Sequence, residues 1–393
     1  MKKILFFPHL RMQSGHHQAA EALMDLLSER LPDAEMKKID LITETNTLLE
    51  KMISEGYMKW IHHAPASYDF VYKHLFYDSI SNEHQFKWYQ PLFMRKMRQI
   101  LKREQPDLVV CTHSFPSSII SKLKMRGECD VPVVNAYTDL FINCVWGRDG
   151  IDAHLLPTDQ SKKNLERNHP KPRGMAVTGI PVHPEIKRTD CRDITAFKDS
   201  EHPIVLVAGG NSGIGRIDNL FEQLKQSQQF HFKVLCGHNK RLHAEIEAWN
   251  LEHIEALPYI SSRSEMNDLY DCADAMITKP GGVTVSEGLR KCLPMFIHSA
   301  LPGQEEINMD YLVPHGLVFE LQPREEIESQ LRHVLMDETR MHRFQQAVSR
   351  YRDAIDLKSD DEVFRFIIRL LEPETEKVME VGSKAGFLFP VQE

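Results

Sequence analysis

The sequence predicts an α/β protein of two successive Rossmann-like domains facing one cleft. Three observations carry this. Short apolar runs that end in glycine-rich or polar loops, each followed by a helical pattern, recur in both halves. The alternation restarts at Ile204-Val205-Leu206-Val207-Ala208, after a charged stretch of weak pattern over 187–202. And 393 residues exceed one ordinary core, so two domains are expected. The boundaries read as 1–185 for the first domain, 186–202 for a linker, 203–355 for the second domain, 356–372 for a helix crossing back to the first, and 373–393 for a tail.

Composition narrows the function. A chain that is 42% hydrophobic and 26% charged is globular in type. Its formal charge of −8 argues against nucleic acid as a general partner. Seven cysteines without a Cys-x-x-Cys pair indicate neither a zinc site nor a disulfide framework, and fit a reducing cytosol. The apolar run in Met1–Pro8 is too short for a signal peptide and reads as the first strand. No stretch approaches the roughly 18 apolar residues of a membrane span. A cytosolic chain that lies on a membrane surface stays open.

In order, strand Ile4–Phe7 leads through 8–13 to a helix over 17–31, spaced by Ala20, Leu23, Leu27 and Leu31, with Ser14 as cap. His16 stands at its entrance, as a packing residue or a catalyst. A second strand is expected over 36–42. The helical region 44–103 interleaves aromatic and basic side chains, among them Trp60, Trp88, Phe93 and Arg95. That pattern suits a lipid interface, where rings sit at headgroup depth and cations meet anionic lipid; it equally suits helices packed on a sheet with a solvated basic face. Strands over 106–113 and 131–139 bring His113 and Asp139 to their carboxyl ends, where ligands gather in open α/β sheets. Asp139 reads as a base or as a loop cap. A strand over 153–157 follows, and prolines 181 and 184 stiffen the end of the first half.

In the second half, strand 204–208 runs into Gly209-Gly210-Asn211-Ser212-Gly213 and a helix over 217–226. Backbone amides of such a loop can approach a diphosphate closely. A nicotinamide-binding start is the confounder. It is disfavoured because no acidic residue ends the next strand, 232–236, and a second phosphate-type loop lies about 70 residues on. That loop is the richest stretch. Strand end Ala275–Ile277 stops at Lys279-Pro280-Gly281-Gly282, and a helix follows in which Thr284 or Ser286 caps and Glu287 lies in the first turn. Free amides and the positive dipole end there suit a phosphate, and Glu287 suits the vicinal hydroxyls of a sugar. A strand over 294–298 leads to Pro302-Gly303-Gln304-Glu305-Glu306-Ile307-Asn308, whose polar groups suit a polyhydroxy ligand. An ordinary strand–turn–helix unit is the plain alternative.

Lys-Pro-Gly-Gly-x-Thr-x-Ser-Glu followed by Pro-Gly-Gln-Glu-x-x-Asn resembles the donor-site signature of the monogalactosyldiacylglycerol synthase and processive diacylglycerol glucosyltransferase family. Gly15-His16-x-Gln-x-Ala, Thr138-Asp139 followed by Trp146, and Thr178-Gly179-Ile180-Pro181 resemble further motifs of that family, and the likeness extends over roughly residues 1–370. Arg11, Met12 and Gln13 replace the glycines usual before the Gly-His motif. The resemblance implies the GT-B arrangement and an inverting, UDP-sugar-dependent hexosyl transfer, with diacylglycerol as acceptor at the inner membrane leaflet. It implies that Gly209, Gly210, Asn211, Gly213, Gly237, Tyr259, Ile260, Gly281, Gly282, Thr284 and Glu287 contact the nucleotide, and that Gln304, Glu305 and Asn308 contact the sugar. His16 or Asp139 would serve as base, and Gly15, Trp60, Trp88, Phe93, Arg95 and Trp146 would face acceptor or membrane. No Asp-x-Asp motif stands where a metal-dependent mechanism would need one, so no metal and no cofactor are expected; UDP-sugar is a substrate. Competing readings are a transferase with a soluble acceptor, a non-hydrolysing UDP-N-acetylglucosamine 2-epimerase, and a sugar-nucleotide sensor without turnover.

Overall fold

The computed structural model describes residues 1–9, 14–46, 56, 60, 67, 71, 90–168, 172–192, 202–209 and 218–372. Residues 11–13, Trp88, Gly210, Asn211, Gly213, most of the aromatic-basic region and the tail from 373 lie outside them.

The first sheet is wholly parallel. Its strands are β1 Lys3–Phe7, β2 Glu35–Lys38, β3 Leu108–Cys111, β4 Val133–Ala136, β5 Ala153–Leu156 and β6 Gly174–Val177, in the order β2-β1-β3-β4-β5-β6. Helices α1 Gly15–Ser28, α2 Leu41–Thr45, α3 Gln90–Glu104, α4 Ser114–Met125 and α5 Asp159–Asn168 connect them. Strands β3, β4 and β5 are buried along their whole length, as expected of a parallel sheet covered on both faces. The strand expected over 36–42 stops at Lys38 because the Asp40 carboxylate accepts from the amides of Ile42 and Thr43 and starts α2. The first helix begins at Gly15, earlier than its apolar spacing suggests, and Ser14 makes no side-chain cap bond.

The second sheet is also parallel: β7 Ile204–Ala208, β8 His231–Leu235, β9 Ile254–Leu257, β10 Ala275–Thr278, β11 Met295–Ile297 and β12 Phe319–Glu320, in the order β12-β11-β10-β7-β8-β9. Its helices are α6 Asp218–Gln226, α7 Lys240–Glu247, α8 Arg263–Cys272, α9 Gly282–Lys291, α10 Gln304–Leu312, α11 Ile327–Leu335 and α12 Glu338–Asp353. Then α13, Asp360–Ile368, packs on the first sheet: Ile367 and Leu370 are buried with Ile4, Phe6, Leu23 and Leu155. Ser359 and Glu362 form a capping box that fixes its start.

Each sheet reverses its strand order once, between β1 and β3 in the first and between β7 and β10 in the second. Crevices at such switch points, outside the carboxyl ends of the strands, are the ligand sites of open α/β sheets. The two domains meet through α1 and α9. Arg263 of α8 also reaches Glu21 of α1 at 3.3 Å, while within the first domain Asp25 takes a hydrogen bond from His183 Nε2 at 2.7 Å.

One composition-based expectation is corrected. Cys191 and Cys292 form a disulfide that joins the linker to the end of α9. The two residues are 101 apart in sequence, so no short spacing could announce the pair. No helix of the described residues is long and apolar enough to cross a membrane.

Candidate active site

The first-domain switch point is lined by histidines. His16 opens α1 behind β1, and its Nδ1 lies 3.0 Å from the Thr112 carbonyl and 2.8 Å from Thr138 Oγ1. A carbonyl only accepts, so Nδ1 carries the proton and Nε2 keeps its lone pair. Thr112 Oγ1 in turn donates to the His16 carbonyl at 2.9 Å. The His113 ring stands edge-on to His16 with centroids 4.6 Å apart, and His9 stacks on His113 at 3.9 Å. Burial pushes His16 down to about 3 and His9 to about 4, and holds His113 well below the usual imidazole range, so the cluster is neutral. His113 is fixed from behind, its Nδ1 accepting from the Phe115 amide at the start of α4.

Asp139 follows Thr138 at the end of β4. Burial pushes its carboxyl up to about 6, with Glu305 nearby acting in the same direction and the hydrogen bond from Asn308 opposing both. Asn308 is almost fully buried and bridges the domains. Its Nδ2 lies 3.0 Å from the Pro280 carbonyl and 3.3 Å from Asp139 Oδ1, and its Oδ1 accepts from the Leu140 amide at 2.9 Å. The bonds to Asp139 and Leu140 join the two halves of the cleft, and the bond to Pro280 stays within the second domain.

Opposite, the chain leaves β10 through Lys279-Pro280-Gly281 into α9. The helix cap is Gly281, so Thr284 and Ser286 lie inside the helix and Glu287 in its second turn, a correction to the expected caps. Among the described residues, no side chain caps the first-turn amides. A Cβ on Gly281 would meet nothing within 4 Å, which leaves its surroundings open. A Cβ on Gly282 would overlap the Thr138 carbonyl, so this glycine is what lets the two domains touch. Beside it, Gly15 lies against the Val283 side chain.

Glu287 is buried; Tyr270 donates to its Oε2 at 2.8 Å, and burial raises its carboxyl above the usual range. Oε1 makes no hydrogen bond among the described residues. Burial raises the Glu305 carboxyl above its usual range, against the Leu301 amide and the nearby Lys279 amine, and the same amine adds to the lowering of His298. Burial pushes His298 down to about 4, and its Nε2 is buried without a hydrogen-bond partner while Nδ1 meets Ser299 at 2.7 Å. Glu305 accepts from the Leu301 amide at 2.6 Å, and Gln304 opens α10 half-buried. At the outer strands, Gly237 takes φ 57° after β8, and Tyr259 stacks on His238 with centroids 3.9 Å apart; Ile260 is half-buried beside it. Gly209 ends β7 half-buried. His298, His238 and His9 were not singled out by the sequence, where Lys279 figures only as the first residue of the Gly-Gly turn, since each acquires its neighbours only through the fold.

The expected acceptor and membrane residues divide. Trp146 is 7% exposed and packs on Tyr137 at 4.5 Å; Phe93 is 5% exposed and stands edge-on to Phe115 at 4.8 Å. Both belong to the first domain's core, which corrects the expectation of a membrane-facing surface for Phe93. Arg95 is exposed on the opposite face of α3, and Trp60 is exposed with its Nε1 donating to Ser67. Among the described residues, no three His, Cys, Asp or Glu are grouped to hold a metal ion. Uncapped amides and a lysine therefore face a neutral histidine and a carboxyl that titrates near neutrality, groups able to stabilise an anionic leaving group and deprotonate a hydroxyl.

Residues 16–182 match the monogalactosyldiacylglycerol (MGDG) synthase family, and residues 196–350 the glycosyl transferases group 1 family. The uncharacterized glycosyltransferase YkoN of Bacillus subtilis is 38% identical over 323 residues, 82% of this chain and 84% of that protein. The processive diacylglycerol beta-glucosyltransferase of the same organism is 25% identical over 339 residues, 85% of this chain and 87% of that one. Among solved structures, Acinetobacter baumannii MurG aligns with a TM-score of 0.58 at 14% identity, covering 93% of this chain and 99% of that one.

Proposed function

The chain belongs to the glycosyltransferases, with an MGDG synthase domain and a group 1 glycosyl transferase domain on a GT-B frame, and from that premise we propose that it transfers a hexose, glucose or galactose, from UDP to the hydroxyl of diacylglycerol with inversion. In this reading the diphosphate lies on the uncapped amides of α9 with Lys279 beside it, and Glu287 Oε1 takes the ribose hydroxyls. Gln304 and Glu305 hold the sugar, and the base lies against Tyr259 and Ile260. The acceptor enters between His16 and Asp139. Asp139, titrating near 6, is the better matched base, because proton transfer is most effective from a group poised near the working pH. His16 stays neutral and its Nε2 orients the entering acceptor hydroxyl, whose single hydrogen then turns to Asp139. The hydroxyl oxygen attacks the anomeric carbon, its proton passes to Asp139, and the bond to UDP breaks as its charge meets the α9 amides.

The observation that carries this reading is the meeting of two switch-point crevices, held by Gly282 against Thr138, with an uncapped helix on one side and a histidine and an aspartate on the other. UDP titrated calorimetrically into the protein tests it. Binding that Glu287→Ala weakens by an order of magnitude or more supports the donor assignment, and UDP binding unchanged by that substitution overturns it. A soluble hydroxyl acceptor is the second reading, favoured by the burial of Phe93, which removes an aromatic anchor from the surface.

A further inference from the structure

Behind the donor loops, on the other side of α9, lies a cavity of about 140 Å³. It is framed by α1, the Thr178–Val182 strap, α9, the end of α12 and the start of α13, and so stands at the hinge between the domains. Its apolar wall comes from Leu23, Leu26 and Leu289; its polar wall carries Arg188, Arg290, Arg352 and Lys358 against a single acid, Asp360.

The charges there are poorly matched. Arg188 makes no hydrogen bond or ion pair among the described residues. Arg290 NH2 reaches Asp360 only at 3.7 Å, and its Nε is buried without a partner. Arg352 is 8% exposed and donates to the carbonyls of Thr189, Leu289 and Arg290 at the end of α9. Burial lowers it to about 10, and Arg188 and Arg290 press the same way against Asp190. Lys358 finds Asp353 at 3.9 Å. At the wall, Ser286 is 5% exposed, with the Tyr351 hydroxyl beside its Oγ. A buried guanidinium N–H without a partner costs free energy and would gain it against an oxyanion.

We infer that this cavity is a second anion site, distinct from the donor cleft, that binds a phosphate-sized oxyanion between Arg188, Arg290 and Lys358 with the Ser286 hydroxyl behind it. Guanidinium forks match tetrahedral oxyanions, and the volume suits a phosphate rather than a nucleotide. The bound anion joins the linker, α9 and the start of α13, so it fixes the hinge about which the two domains are set.

The test is thermal unfolding of the full chain in phosphate-free buffer, with inorganic phosphate or glycerol 3-phosphate titrated in and sodium chloride at matched ionic strength as control. A ligand bound only by the folded state raises Tm with saturation. A saturable rise with either phosphate, lost in Arg188→Gln and in Lys358→Gln while the UDP-induced shift of both variants stays as in the parent, carries the proposal. The larger of the two responses identifies free phosphate or a phosphomonoester as the ligand. No rise beyond the chloride control, or a rise that both variants keep, overturns it. Arg188 and Lys358 are exposed at the mouth, so both variants are expected to fold, and the UDP shift separates failure of this site from failure of the donor assignment.

Discussion

The Thr138 carbonyl lies where a Cβ on Gly282 would stand, and Thr138 Oγ1 lies 2.8 Å from His16 Nδ1. One residue of the first domain thus holds the histidine with its side chain and receives the donor-side loop of the second domain with its backbone. Gly282→Ala must push the domains apart. It is expected to lower stability by about 1–3 kcal/mol, as overpacking does, and to reduce kcat. Gly281→Ala, with open space around it and φ −71°, is expected to cost no more than the roughly 1 kcal/mol that alanine loses at a helix cap and to raise the donor KM. Unfolding curves beside steady-state kinetics check both.

The pH profile separates the two candidate bases. With Asp139 at about 6, kcat/KM rises as pH climbs through about 6, and Asp139→Asn removes that limb. His16, at about 3, is neutral already, so a His16-dependent rate would be flat from about pH 5 to 8. Stability runs the other way for Asp139. Its folded pKa is raised, so its contribution is complete below the ordinary carboxylate range and is lost as pH rises through about 6. His16 is lowered, so its contribution is present above the ordinary imidazole pKa and is lost as pH falls from there towards 3.

His16→Ala is expected to keep UDP binding and to lower turnover by roughly 10²–10⁴-fold, the usual range for a group that handles the transferred proton or its hydrogen bond. Calorimetry with UDP beside a turnover assay decides this. Unchanged turnover would remove His16 from the reaction.

Membrane contact, if it runs through α3, uses its outer face. Leu92 is 53% exposed there and Arg95 and Lys102 follow on the same side. The triple change Leu92→Ser, Arg95→Glu, Lys102→Glu is expected to abolish cosedimentation with vesicles containing anionic lipid and to leave UDP affinity unchanged. Equal sedimentation of parent and variant would place the contact elsewhere.

The sequence announced the strand–loop–helix order and the two glycine-bearing turns because those signals are local: Pro280-Gly281-Gly282 breaks a strand whatever surrounds it. The start of α9 was misread because a glycine cap carries no side chain to mark it. Phe93 reads towards a lipid surface because an aromatic has the same appearance in sequence whether it faces lipid or packs on Phe115. The Tyr270–Glu287 hydrogen bond, the grouping of Lys279 with His298 and Glu305, and the Cys191–Cys292 disulfide join residues brought together by the fold, and no sequence pattern encodes such neighbours.

The most direct measurement is mass-spectrometric detection of product after incubation with UDP-glucose or UDP-galactose and diacylglycerol vesicles in EDTA. The account predicts a hexosyl-diacylglycerol with either donor, formed in chelator because helix amides and Lys279 take the charge of departing UDP. Release of UDP without glycolipid would contradict the lipid acceptor. Absence of both UDP release and UDP binding would contradict the donor site at Gly281–Glu287.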